Sequence, residues 1–257
     1  MRIILNADDF GYSVDTVRAT IDCFEREALT SATIMVNMPA SGRAIEYAHG
    51  NPHHSFGVHL TYVSDGVERP ISPANELPAL VSESGLFFPS NEIRKRALLR
   101  RLPVDQIVRE TTAQLARLVD CGVRISHVDS HGHLHKFAPF REALIRVLPR
   151  FGVTRVRTVQ DVYLSRPLRS PTYWLGALWR QRLRRSFATT EHFYMAASAW
   201  DNAWPAKLLD IVDGESLEVG VHPGTAEAWR DHERQAIMEF AQRARDAGHA
   251  LIGWREL

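Results

Sequence analysis

The chain is 257 residues long, a length that suits one domain or at most two small ones. Its 31 basic and 30 acidic side chains nearly cancel, which argues against a polyanion such as DNA as a partner of the whole molecule. No apolar run is long enough to span a bilayer, and the run within residues 2–6 is too short for a signal peptide. The two cysteines, Cys23 and Cys121, form no metal motif and no obvious disulfide framework. We therefore expect a single cytoplasmic domain over residues 1–257.

In chain order, the apolar spacing predicts strands that alternate with helices. The first strand is a short apolar run that ends in two acids, the pattern of a buried parallel strand. Further strands are predicted at residues 31–36, 55–60, 124–130, 155–159, 218–222 and 250–252. Helices are predicted at residues 14–27, 43–49, 91–101, 104–120, 140–151 and 226–247. This alternation is typical of an α/β fold with a parallel sheet, and the strand count favours an irregular (β/α) barrel over an open sheet.

Two long stretches between these elements lack a regular apolar spacing. Residues 61–89 are rich in Pro, Ser and Gly, and so long a loop in a compact domain is usually functional or mobile. Residues 160–204 form a variable segment with four of the six tryptophans and many arginines. A helical stripe is predicted there from Leu175, Leu178, Trp179 and Leu183. We interpret it as a helix packed on the barrel with a solvated basic rim. The alternative is contact with an anionic or lipid-linked sugar, or with a membrane surface.

Ionisable side chains stand at the ends of four predicted strands. They are Asp8 and Asp9 in the first, His59 in the third, the run 127–135 in the next, and His222 in the late strand. In a parallel barrel the chemistry lies at the carboxyl ends of the strands. We therefore expect these side chains to meet at one face of the barrel.

Asp8 and Asp9 are adjacent acids at the end of the first strand. A helix N-cap with a first-turn acid would explain such a pair equally well. Adjacent strand residues point to opposite faces unless the backbone turns between them. The two carboxylates therefore cannot easily do the same task, and one can hold a metal while the other takes a proton.

The segment His127-Val128-Asp129-Ser130-His131-Gly132-His133-Leu134-His135 places four histidines within nine residues. If the strand continues, alternate placement puts their side chains on one face. Imidazoles with a carboxylate suit zinc or another transition metal, and an oxygen-rich shell with water also admits magnesium. Because the four cannot all bind one ion, some must be structural or must orient a ligand or the substrate. Clustering on the surface is the alternative interpretation.

Two further histidines become candidate site residues when these neighbours are considered. Taken alone, His59 would be a hydrogen-bonded histidine at a strand end, and His222 would belong to a common His-Pro-Gly turn. Beside the acids and the histidine run, His59 becomes a candidate ligand and His222 a candidate proton donor. Together these residues predict metal-assisted hydrolysis, with a carboxylate to take a proton from water and an imidazolium to protonate the leaving group.

Five motifs in this order resemble the YdjC-like carbohydrate deacetylases, a family that includes chitooligosaccharide deacetylases and hopanoid-associated members. The matching stretches are Asn6-Ala7-Asp8-Asp9-Phe10-Gly11, Thr30-Ser31-Ala32-Thr33, Val36-Asn37, Gly57-Val58-His59 and the histidine run 127–135. The resemblance covers most of the chain as far as His222. The segment 160–204 does not closely resemble the chitooligosaccharide enzymes, which leaves their substrates in question for this chain.

The resemblance implies an irregular (β/α) barrel of the glycoside hydrolase/deacetylase type and one divalent metal ion, Mg²⁺ or Zn²⁺. Carried over by position, the ligands are Asp9, His59 and His131, the general base is Asp8, and the general acid is His222. The roles of the two aspartates could be exchanged, and His133 is expected to line the site. The implied substrate is an N-acetylated sugar or sugar conjugate, without nucleic acid. Membrane-surface contact is not favoured, and a homodimer is left open.

Two other functions compete with deacetylation. A phosphoesterase would often use two metals bridged by carboxylates, and the strand ends carry too few acids for that. A catalytically silent sugar-binding protein of the same fold would be expected to lose the proton-transfer residues. Those residues are all present, which favours an enzyme.

Overall fold

Seven strands and eight α-helices alternate in the computed structural model, which describes residues 1–164, 171–196 and 203–257. Within these residues the strands β1 to β7 are Arg2–Phe10, Ser31–Ile34, Ser55–Leu60, Ile125–Ser130, His192–Met195, Ser216–Val221 and Ala250–Leu251. The helices α1 to α8 are Val14–Glu25, Ser41–Gly50, Ser90–Leu98, Val104–Asp120, Ala138–Val147, Pro171–Arg184, Trp204–Ile211 and Ala228–Asp246.

The strands form one parallel sheet in the order β4-β3-β2-β1-β6-β5, with β7 beside the start of β1. Every residue of β3 and of β6 is buried, as expected for parallel strands that are covered on both faces. The sheet curls into a half-barrel flanked by helices. The predicted irregular α/β barrel is therefore confirmed.

An aromatic cluster fixes the first two helices on the outside of the sheet. Phe10 of β1 and Phe24 of α1 lie 6.2 Å and 5.7 Å from the ring of Phe56 in β3, measured between centroids. Tyr47 of α2 meets the same ring edge-on at 6.2 Å. Offset and edge-on contacts of this kind stabilise aromatic pairs beyond the area that they bury. The cluster holds the β1–β3 side of the barrel, whose strand ends carry Asp9 and His59.

A short segment crosses the gap between the edge strands β4 and β5. Val156 bridges Val128 of β4, and Arg155 bridges Ala188, which precedes β5. A continuous strand was predicted at 155–159. The structure instead has single bridges there, because neighbouring residues pair with different partners. We call residues 154–157 the seam, and it places Arg157 inside the barrel, fully buried.

The loop 61–89 is fastened to helix α4 by buried side chains. Glu110 accepts hydrogen bonds from the backbone N–H groups of Ile71 and Ser72, each at 2.9 Å. Gln114, one helical turn further, bonds both backbone groups of Thr61. The loop therefore has a fixed course over the carboxyl ends of the strands, although its sequence has no regular spacing.

The variable segment contains a helix and a strand that the sequence pattern did not separate. Helix α6 buries Trp179 and Leu183, whereas Leu175 and Leu178 are exposed on its outer side. The predicted stripe is thus divided between core and surface. Trp200 and the other residues of 165–170 and 197–202 lie outside the described residues. No described helix is both long and apolar enough to cross a membrane.

Candidate metal centre and active site

The end of β1 turns so that both aspartates reach the barrel interior. Asp9 has a left-handed backbone with φ of 55°, a conformation that Asp tolerates better than most residues. The pairing of β1 with β2 shifts register between Ala7 and Phe10, so Asp8 and Asp9 do not alternate as in a regular strand. Because the backbone turns at this point, adjacent carboxylates share one site instead of lying on opposite faces.

Asp9, His59 and His131 bring one ligand atom each into a group that could hold a metal ion. The Oδ1 atom of Asp9 lies 3.4 Å from Nε2 of His59 and 3.3 Å from Nδ1 of His131. All three ligand atoms lie within 4.8 Å of one another. That carboxylate oxygen is buried and has no hydrogen-bond partner, which is costly unless a cation binds there. The donor set fits a divalent ion.

Each of these three candidate ligands also contacts a second charged side chain, which orients it. The Nδ1 atom of His59 lies 2.7 Å from Asp129 Oδ1, and Nε2 of His131 lies 2.9 Å from Asp65 Oδ2. Each ring can thus donate its N–H to a carboxylate and direct its other nitrogen at Asp9, as metal-binding histidines usually do. Arg230 of α8 donates to Asp9 Oδ2 at 2.9 Å.

Burial and neighbouring carboxylates act in opposite directions on His131. Burial alone would lower the pKa of this imidazole, but the Asp65 and Asp9 carboxylates raise it to about 10. Without a metal the ring is therefore positively charged at neutral pH. A cation that binds at Nδ1 must displace this proton, since a histidine ligand is neutral.

Arg157 is the centre of a buried ion cluster beside the candidate metal centre. Its two terminal nitrogens donate to both oxygens of Asp8 at 2.6 Å and 2.7 Å. It also contacts Asp129 at 2.6 Å and Glu218 at 2.7 Å. Burial opposes ionisation of Asp8, but Arg157 outweighs it and holds the pKa of Asp8 far below its usual value. Burial raises the pKa of Glu218 to about 7 despite the same arginine.

His222 stands at the end of β6 with its ring partly open to the cavity. Glu233 of α8 accepts a hydrogen bond from the backbone N–H of His222 at 2.7 Å, and its carboxylate lies 3.0 Å from Nδ1. Burial by itself would lower the pKa of His222, but the Glu233 carboxylate outweighs that effect and raises it. The imidazole is thus favoured in its protonated form.

A cavity of about 280 Å³ joins these groups. Among its lining residues are Asp8, His59, His131, His133, His222 and Arg94. Four of the five predicted site residues line this cavity, and Asp9 lies in contact with two of them. The strand ends therefore meet at one face, as expected.

Comparison with known proteins agrees with the motifs. The model of the YdjC-like proteins matches residues 2–249. The chain belongs to the YdjC-like family. A carbohydrate deacetylase of Brevibacillus brevis is 28% identical over 226 residues, covering 87% of this chain and 81% of the relative. One from Geobacillus stearothermophilus is 34% identical over 169 residues, covering 66% of this chain and 63% of the relative.

The fold of this YdjC-like protein is also found in a crystal structure from Enterococcus faecalis V583. Cellobiose-phosphate cleavage is provisionally attributed to that protein. It superimposes with a TM-score of 0.80 at 22% identity, over 99% of this chain and 98% of the other. At this identity the likeness concerns the fold alone.

The histidine run of the YdjC-like chain does not lie on one face. Strand β4 ends at Ser130, and Gly132 and His133 follow with positive φ, so the chain turns after His131. His127 stacks on Trp254 at 4.6 Å between ring centroids, beneath the site. Burial lowers the pKa of His127 well below its usual value. The alternation expected for a continuing strand is wrong beyond Ser130, because the backbone leaves the sheet there.

Four partners of the YdjC-like site were not found by the sequence argument: Asp65, Arg157, Arg230 and Glu233. Each acts on a residue far away along the chain, with separations from 11 positions for Glu233 to 221 for Arg230. Asp65 offered one signal, since it lies in the long loop expected to be functional. The other three lie in predicted helices and strands, where nothing in the local sequence distinguishes them from other charged residues.

Proposed function

We propose that this chain is a metal-dependent deacetylase that hydrolyses the acetamido group of an N-acetylated sugar or sugar conjugate. The observation that carries the proposal is the buried, unpartnered Oδ1 of Asp9 between two imidazole nitrogens, beside the cavity that Asp8 and His222 line. The substrate class is supported by the relatives, which are named carbohydrate deacetylases.

Asp9, His59 and His131 would hold one divalent cation. A carboxylate and two imidazoles suit Zn²⁺, and water in the remaining positions also makes Mg²⁺ a candidate. When bound, the cation supplies a Lewis acid that polarises a carbonyl and lowers the pKa of water. Asp129 and Asp65 orient the two imidazoles, and Arg230 orients the carboxylate.

Asp8 and His222 carry the two proton transfers in this proposal. Asp8 is an ionised carboxylate on the cavity wall and takes one proton from the attacking water. The oxygen of that water bonds to the acetyl carbon, and the C–N bond breaks. His222, held protonated by Glu233, gives its proton to the departing nitrogen. The products are acetate and the free amine, and the two residues exchange their protons back through solvent.

The division of work between the aspartates follows from their different partners. Both oxygens of Asp8 accept hydrogen bonds from Arg157, so a cation bound to Asp8 would lie against a buried positive charge. Asp9 keeps one oxygen for the cation and uses the other for Arg230. This supports Asp9 as the ligand and Asp8 as the base.

A two-metal phosphoesterase is less well supported. A second group that could hold a cation, Asp8, His59 and Asp129, exists among the described residues. Its carboxylates already contact the Arg157 guanidinium at 2.6 Å. A cation there would lie against a buried positive charge, which disfavours a second site.

Metal analysis and acetate release together test the proposal. His131→Ala and Asp9→Asn should lose the bound ion and the activity. Asp8→Asn should retain about one ion per chain and lose on the order of 10²–10⁴ in kcat. His53→Ala, an exposed histidine away from the cavity, serves as the control and should behave as the unaltered protein. Melting temperatures show that each variant is folded.

Two results would contradict specific parts. Full acetate release by His131→Ala would remove the proposed metal centre. Loss of the ion from folded Asp8→Asn, with retention in Asp9→Asn, would exchange the two aspartates.

A further inference from the structure

Positive charge is concentrated in two helical segments. Residues 90–103, which comprise α3 and the turn after it, contain five basic side chains and one acidic. Residues 171–185, which comprise α6 and Arg185, contain four basic and none acidic. Since the whole chain has a net charge of only +1, the rest of the molecule is net negative. Such a separation of charge favours an anionic partner at one face.

The same two segments expose large apolar side chains. At the end of α3, Leu98 and Leu99 are 59% and 53% exposed. On α6, Leu175 and Leu178 are 40% and 41% exposed. Together with Arg182 and Arg185 the α6 leucines follow a helical spacing of three and four residues, which places them on one side of the helix. Apolar and basic groups are therefore interleaved on the surface.

Arg141 lies between the two segments, because its helix α5 packs against α3 and the charges of both Arg100 and Arg182 act on its guanidinium. Burial lowers the pKa of this guanidinium, and the nearby charges of Arg182 and Arg100 lower it further. Its Nη1 atom is buried and has no hydrogen-bond partner. No ion pair joins Arg100, Arg182 or Arg185 to an acid within the described part of the chain. Glu142 is a neighbouring acid of Arg141, but the arginines around it outnumber this charge and leave a positive potential that an external anion can neutralise.

This basic face lies on both sides of the turn that carries the site histidines. Arg94 of α3 donates to the carbonyl of Gly132 at 2.9 Å. On the other side, the Lys136 ammonium lies 5.3 Å from the ring centroid of Trp179 in α6. The helices that carry the face therefore flank the turn of the site histidines.

We propose that the basic face, formed by Leu98, Leu99, Arg100, Arg141, Leu175, Leu178, Arg182 and Arg185, docks on an anionic lipid bilayer. Exposed leucines beside arginines match an interfacial helix, whose apolar side enters the head-group boundary while the basic groups bind anionic lipids. A nucleic acid would neutralise the arginines but would leave the leucines in water. Docking is a property of the outer helices and does not require the proposed deacetylase activity.

Vesicle flotation tests this docking on the full chain. Vesicles of equal phosphatidylglycerol and phosphatidylcholine should carry the protein upward, and vesicles of phosphatidylcholine alone should not. Arg182→Gln with Arg185→Gln should lower the partition coefficient about 30-fold. Leu175→Gln with Leu178→Gln should lower it about tenfold or more. Binding should also weaken at about 1 M salt, where charges are screened within about 3 Å.

A matched pair on another helix provides the control. Arg117→Gln with Val119→Gln changes exposed residues of the same kinds on α4 and should leave flotation unchanged. Acetate release from a soluble substrate should be the same in all three double variants, which separates docking from catalysis. Absence of flotation with anionic vesicles would overturn the inference. Loss of binding in the arginine variant alone, with heparin or RNA as an effective competitor, would overturn it in favour of an anionic polymer.

Discussion

A neighbouring side chain determines whether His222 and His135 carry a charge. The Nδ1 atom of His222 lies 3.0 Å from the Glu233 carboxylate, whereas Nδ1 of His135 lies 2.8 Å from the Ser130 hydroxyl. Burial disfavours the charged ring in both cases. For His135 no carboxylate offsets it, and the pKa falls to about 3, while Glu233 raises the pKa of His222. The two histidines therefore differ in whether they can donate a proton.

Glu233→Gln should move the alkaline limb of the kcat/KM profile to lower pH. The raised pKa of His222 keeps its proton as pH increases, and the protonated fraction is lost as pH passes that pKa. Without the carboxylate the pKa of His222 falls, so the loss should begin at lower pH. Glu239→Gln, an exposed position on the same helix, should leave the limb in place. An unmoved limb in Glu233→Gln would mean that another group sets it.

At the scale of residues, the candidate ligands could be predicted from the sequence better than the charged side chains that orient them. Asp9 and His59 lie near the ends of their strands and His131 directly follows one, and these positions can be predicted from the local sequence. Arg157 bonds Asp8 across 149 positions of the chain, and nothing local distinguishes it from other arginines. Charge partners of this kind depend on the three-dimensional path of the backbone, which apolar spacing does not specify.

At the scale of elements, the segments with regular apolar spacing were predictable, whereas β5 and α7 were not. Helix α4 has the predicted bounds, because its 17 residues contain several turns of regular spacing. Strand β5 and helix α7 are short and lie within or at the end of the segment 160–204, where tryptophans and arginines leave no regular apolar spacing. The loop 61–89 has no period at all, and its course is set by hydrogen bonds to Glu110 and Gln114.

Glu110→Ala should release this loop from α4. Two backbone N–H groups would lose their acceptor, so we expect the free energy of unfolding to fall by about 2–4 kcal/mol. Urea unfolding measures the loss, and limited proteolysis should cut faster within 61–89. Glu110→Gln keeps one oxygen acceptor and should lose less. Equal stability of the alanine variant and the unaltered protein would show that the loop is held by other contacts.

At the scale of the whole molecule, the candidate metal centre connects three parts of the fold. Asp9 and His59 are the second-last residues of β1 and β3, and His131 follows β4. A cation bound between them would bind the folded chain and not the unfolded one, and so would stabilise the barrel by mass action. Stability and metal content are therefore expected to change together.

Removal of divalent ions should lower the melting temperature. An ion at 100 times its dissociation constant contributes about 2.7 kcal/mol, which corresponds to roughly 5–10 °C for a chain of this size. Calorimetry with a chelator, and again after the ion is restored, measures the shift. The His131→Ala variant should show no response to either treatment. A response of equal size in that variant would place the stabilising ion elsewhere.

The ion cluster around Arg157 has a consequence for how this protein can evolve. The seam that carries Arg157 is joined to the edge strands by single bridges. From it the guanidinium reaches carboxylates of β1, β4 and β6, and it lies 4.8 Å from the ring centroid of Phe193 in β5. The charge that keeps Asp8 ionised thus also ties together strands from all around the barrel. With Asp8 as the proposed base, selection for turnover and selection for folding act on one side chain, and neither can relax at position 157 without the other.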